Sequence, residues 1–116
     1  MAPTTAPRLR WIPGFGALLA GASVALAAYA AHADAPGLAS AAWLGLIHGA
    51  ACAALAPAAG NRQARVALAM LLAGAALFAG SLAAKHVLGL SSAPAPAGGL
   101  LMISGWVVLS LTWLRR

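Results

Sequence analysis

Hydrophobic and polar positions along this chain neither alternate nor fall into narrow stripes. They fall into blocks. Residues 13–32, 39–57, 64–84 and 97–114 form four apolar runs, with no Asp, Glu, Lys or Arg away from their ends. Each run is roughly 18–21 residues long. A helix rises about 1.5 Å per residue and a bilayer core is about 30 Å thick, so about 20 apolar residues cross it. An isolated span satisfies its backbone N–H and C=O groups in lipid only as a helix. Barrel strands would alternate in polarity, and these runs do not. The pattern therefore predicts an all-α membrane protein, a single integral domain over residues 1–116 built as an antiparallel four-transmembrane-helix bundle.

The connectors carry helix breakers. They are "DAPG" at 34–37, "PAAGNRQ" at 57–63 and "GLSSAPAPAGG" at 89–99, the longest. Their Pro and Gly content predicts that all three are non-helical. The four runs show no internal repeat, which gives no support to an inverted-repeat transporter.

Composition strengthens the membrane reading. The chain is 63% hydrophobic and 7% charged, against about 45–50% and about 25% for a soluble domain. There are too few polar side chains to coat a water-facing exterior, so the lipid bilayer is the expected surroundings.

The net charge is +6, from seven basic residues against one acid, Asp34. Nucleic acid is not the expected partner, because the basic residues punctuate the apolar runs and build no patch with interleaved aromatics. Their placement predicts orientation instead. Arg8, Arg10, Arg62, Arg65, Arg115 and Arg116 lie at the termini and the middle connector, whereas Lys85 alone, with Asp34, lies on the other side. The positive-inside rule then puts both termini in the cytoplasm, in a multi-pass protein of the bacterial inner membrane.

A competing reading takes the first run as a secretory signal, with Ala31-His32-Ala33 as its cleavage site and three spans remaining. The apolar stretch is longer than the usual 7–15 residues or so of a signal core, which favours four spans. Trp11, Trp43 and Trp113 fall near span ends, as an interfacial aromatic belt requires. Trp106 falls deeper, so its indole N–H should need a partner inside the bundle.

Helices in lipid associate through close packing, and small residues permit it. Gly45 and Gly49 form a GxxxG pair. Ala76, Gly80 and Ala84, beside Ser81, define a small-residue face on the third run. Gly98, Met102, Gly105, Leu109 and Thr112 follow heptad spacing on the fourth, with Gly99 adjacent. Gly within a helix costs about 1 kcal/mol relative to Ala, so the glycines carry more information than the alanines. Gly45, Gly49, Gly80, Ser81, Gly98, Gly99, Gly105 and Trp106 are the expected packing residues.

Candidate chemistry is sparse. Cys52 is the only cysteine, which rules out an intrachain disulfide and suits a small packed hydrophobe. His32 and His86 fall at the outer ends of the first and third runs, and His48 near the middle of the second, four residues before Cys52. His32 and His86 match in depth, as a bis-His haem or metal site needs, with Asp34 available to orient one ring. The plainer reading has the outer histidines half solvated, Asp34 capping a turn before Pro36, and His48 bonded to a backbone carbonyl or a serine across the bundle. One carboxylate cannot supply an acid–base pair. No phosphate loop, CxxC, HExxH or GxSxG pattern occurs. Proton conduction needs several buried ionisable groups, and only His48 is deep.

Four motifs, in order, resemble the family of small four-helix membrane proteins termed domain of unknown function 423, which includes YgdD-like and transmembrane protein 256-like proteins. "AAYAAHAD" ends the first run and places His32 at the family's histidine, with Ala28 and Ala31 where the family has glycines. "WLGLIHGAACAAL" places His48 at the second family histidine. "LFAGSLA" at 77–83 resembles "LFSGSLY". "APAPAGGLLMISGW" at 93–106 resembles the start of the last span. The resemblance implies the four-helix topology and no particular activity.

The expected function is therefore that of a non-enzymatic accessory or structural subunit beside other membrane protein subunits, with no cofactor. The alternatives are a haem- or metal-binding redox protein and an oligomeric small-solute or ion transporter.

Overall fold

A computed structural model describes residues 10–115. Arg8 and Arg116 lie outside that range. Four long helices account for most of it: α1 (Trp11–Ala33), α2 (Pro36–Leu55), α3 (Arg62–Leu88) and α4 (Ala95–Leu114), with one 3₁₀ turn, Ala56–Ala58, after α2. All four are long and apolar enough to cross a membrane, the make-up of a multi-pass membrane protein. Each apolar run lies inside one helix or, for the second, α2 and its 3₁₀ turn.

All three connectors are shorter than their breakers predict. The segment 34–37 shrinks to Asp34 and Ala35, because Pro36 opens α2. The segment 57–63 shrinks to residues 59–61, because Pro57 and Ala58 lie in the 3₁₀ turn and α3 begins at Arg62. The segment 89–99 shrinks to residues 89–94, because α4 takes in Pro96, Gly98 and Gly99. Proline lacks only an N–H that the first helical turn leaves unbonded anyway, so it starts a helix as readily as it stops one.

The helix ends show how. Asn61 precedes α3, and its side-chain oxygen accepts a hydrogen bond from the Ala64 N–H at 2.8 Å, satisfying one orphan donor. Gly89 ends α3 in the left-handed conformation, φ 69°. Asp34 does the same for α1 at φ 52° and is the one non-glycine residue with positive φ among the described residues. The N–H groups of Asp34 and Ala35 both bond to the Ala30 carbonyl, the pattern of a left-handed helix end. Asp34 therefore does not cap the helix after it. Ala35 holds that place, with no side-chain bond, and Asp34 instead supplies a backbone conformation that Asp tolerates better than bulkier residues.

α1 packs on α2, α2 on α3, and α3 on α4. The inner pair is more enclosed: 39% of the residues in the most apolar stretch of both α2 and α3 are buried, against 17% in α1 and 28% in α4. The cross-section is oblong, 29 × 19 Å. The main core cluster joins Ile12, Cys52, Leu68, Leu71 and Leu109 with alanines of α3. Around it the exterior is greasy. Phe15, Leu18, Trp43, Ile47, Leu100 and Ile103 are all more than half exposed, an arrangement that water penalises and lipid does not.

Glycines set the closest approaches. A methyl group on Gly16 would lie 2.7 Å from the Gly49 carbonyl oxygen. One on Gly74 would lie 2.7 Å from the Gly98 carbonyl oxygen. Gly45 meets the Ser23 side chain, and Gly105 meets Leu71 and the Ala67 carbonyl. The buried residues of α4 are Ala95, Gly98, Met102, Gly105, Leu109 and Thr112, the heptad face together with one further turn. On α3 the small-residue face expected from Ala76, Gly80 and Ala84 points outward. Ala76 and Gly80 are exposed and Ala84 is half-buried, because the residues turned inward are Leu68, Leu71, Leu72, Ala75 and Ala79.

Candidate functional site

The polar chemistry of the interior centres on His48. It is buried on the inward face of α2, three residues after Gly45 and four before Cys52, so the three share one side of the helix. Its Nδ1 lies 2.7 Å from the Leu44 carbonyl oxygen, one turn back. Its Nε2 lies 3.0 Å from Nε1 of Trp106 on α4. An indole N–H only donates. Nε2 is therefore the acceptor, and Nδ1 carries the proton and donates it to Leu44. The partners thus assign the neutral Nδ1–H tautomer. The two rings lie 5.8 Å apart at 60°. This is the one side-chain-to-side-chain hydrogen bond among the described residues, and it ties α4 to α2 although α4 packs chiefly on α3. The buried polar side-chain atoms of the described residues all have partners. One turn further along α2, the Cys52 thiol donates to the Leu68 carbonyl at 3.4 Å, a weak bond to α3.

His48 thus has both ring nitrogens committed. Serving as a metal or haem ligand would require breaking the Trp106 bond or the Leu44 bond. Trp106 itself is 38% exposed, with its N–H turned inward.

At the other end of α1 lies a second aromatic contact. The Tyr29 ring meets the His86 ring edge-on, centroids 6.0 Å apart and planes at 80°. His32, one turn beyond Tyr29, is exposed, and its Nδ1 lies 2.8 Å from the Ala28 carbonyl of its own helix. His86 and Lys85 line an open recess of about 480 Å³ with Pro36, Gly37 and Leu82. Among the described residues, no three His, Cys, Asp or Glu side chains cluster closely enough to hold a metal ion.

The expected packing residues divide. Gly45, Gly49, Gly98 and Gly105 each sit at a close contact. Gly80 and Gly99 do not, since a methyl group on either would meet nothing within 4 Å. One residue of rotation separates them from the buried Ala79 and Gly98. Ser81 is half-buried. Gly16, Gly74 and Ser23 were not singled out by sequence. The available signal for the two glycines was the same one that marked Gly49, a glycine well inside an apolar helix.

A second groove, of about 470 Å³, runs between α1 and α3 and is lined by apolar side chains from Trp11 to Ala22 and from Ala69 to Ala76. It holds no charged side chain.

Compared with protein-family models, curated proteins and solved structures, the chain matches none.

Proposed function

We propose that this chain is a non-enzymatic accessory subunit of the bacterial inner membrane. In this reading it forms an antiparallel four-helix bundle with both termini in the cytoplasm. Two contact sets support the antiparallel order. Gly16 meets Gly49 while Ser23, further along α1, meets Gly45, earlier on α2. Gly74 meets Gly98 while Leu71, earlier on α3, meets Gly105, later on α4. Six basic residues at the termini and middle connector, against Lys85 on the other side, support the orientation. The resemblance of four motifs to the domain of unknown function 423 family is in keeping with the same topology.

One observation carries the functional part. The one buried histidine among the described residues, His48, is used to join two helices, with both nitrogens bonded. A base, proton relay or metal ligand needs a free nitrogen facing substrate, water or metal. What this protein presents outward is apolar helix surface, which suits packing beside other membrane subunits. Affinity purification from native membranes in mild detergent tests the idea. Co-purification of a defined set of membrane proteins at stoichiometric yield is the expected outcome. A protein that always migrates alone would count against it.

A further inference from the structure

We propose that the groove between α1 and α3 is a binding site for one anionic phospholipid, with an acyl chain between the helices and the headgroup phosphate at Arg65. This rests on the membrane placement proposed above. The groove walls are Trp11, Phe15 and Leu18 on α1, and Ala69, Ala73 and Ala76 on α3. Leu72 apart, the α3 wall is alanine, and it faces the larger Trp11, Phe15, Leu18 and Leu19 of α1, which leaves an open channel of about 470 Å³ rather than a packed seam.

Charge decides which lipid. Arg65 stands four, eight and eleven residues before Ala69, Ala73 and Ala76, so helical periodicity puts it on the groove face, one turn beyond the groove's end. Ile12 shares a core cluster with Ala64, Ala67 and Leu68, which brings the start of α1, and with it Arg10, to the same end. Arg10, Arg62 and Arg65 are all exposed. The chain's single acidic side chain is Asp34, beyond the far end of α1. Across the 23 residues of α1 that is about 35 Å away. No acidic side chain of this protein can neutralise these arginines, so the counter-charge comes from outside. A lipid tail alone gains little by leaving bulk lipid for an apolar groove. Selectivity must therefore come from the phosphate and the negative headgroup, which Arg binds in a forked geometry.

Native mass spectrometry of the full-length protein in mild detergent tests this with phosphatidylglycerol and phosphatidylcholine of matched acyl chains. The wild type should retain phosphatidylglycerol in preference. Arg65→Gln should reduce that retention about fivefold, the worth of one basic side chain beside anionic lipid. Arg65→Lys should lose less. Ala73→Phe, which fills the groove from an exposed position, should lower retention of both lipids, and it tests the site independently if Arg65→Gln does not fold. Arg115→Gln, just past the end of α4, should change nothing. Equal retention of the two lipids, or an equal loss in Arg115→Gln, would overturn the site. A protein that stays soluble without detergent would instead overturn the membrane placement.

Discussion

Gly16 of α1 and Gly49 of α2 approach so closely that a methyl group on Gly49 would lie 2.6 Å from the Gly16 carbonyl oxygen and 2.8 Å from the Ala20 nitrogen. Neither neighbour is a flexible side chain that could swing aside. Gly49→Ala must therefore push two helices apart, at a cost of about 1–3 kcal/mol. Unfolding in mixed micelles, followed by far-UV circular dichroism, should show this loss.

Gly80→Ala is the matched opposite. That position is open on all sides, and alanine favours a helix by up to about 1 kcal/mol over glycine. The same unfolding measurement should show unchanged or raised stability. A loss as large as that of Gly49→Ala would mean that the face of α3 bearing Gly80 is buried against something.

The His48–Trp106 bond should be measurable as a coupling. Interhelical hydrogen bonds in membrane proteins average about 0.6 kcal/mol, with a maximum near 1.7. A double-mutant cycle with His48→Ala and Trp106→Phe should return a coupling in that range. Nitrogen-15 chemical shifts of the His48 ring should report the Nδ1–H tautomer in the wild type. Trp106→Phe should shift the Nε2 resonance most.

Some of this was legible in the sequence, and the division has physical causes. Four apolar runs gave four helices because lipid-length hydrophobic stretches leave the backbone no alternative. The heptad Gly98, Met102, Gly105, Leu109 and Thr112 gave the inward face of α4, because these residues contrast with the bulky Leu100, Ile103 and Val107 around them. Depth alone said that Trp106 needs a hydrogen-bond partner and that His48 needs one too. That the two would find each other was not readable, since it depends on how α4 is rotated and how far along α2 it sits. On α3, alanine is so frequent that Ala76, Gly80 and Ala84 looked as suited to packing as Ala75 and Ala79. Only the leucines beside them, Leu68, Leu71 and Leu72, decide which face turns inward. Pro36 and Pro96 read as breakers because a proline within a sequence does not say whether a helix is ending or beginning.

Asp34 gives a prediction that separates charge from conformation. Its left-handed backbone, φ 52°, costs a β-branched residue about 1–2 kcal/mol and glycine nothing. Asp34→Gly should hold or raise stability and Asp34→Val should lower it, although both remove the same charge. If Asp34→Gly and Asp34→Val proved equally damaging, the carboxylate itself would matter, and the outer end would need a new chemical account.

The most direct measurement is labelling with a membrane-impermeant maleimide in intact bacterial spheroplasts, starting from a cysteine-free Cys52→Ala protein. Single cysteines are introduced at Gly60, in the connector before α3, and at Ser91, in the connector before α4. Four spans with both ends in the cytoplasm predict that Ser91→Cys reacts at once and that Gly60→Cys reacts only after lysis. Prompt labelling at Gly60, or protection at Ser91 until the membrane is broken, would contradict that arrangement.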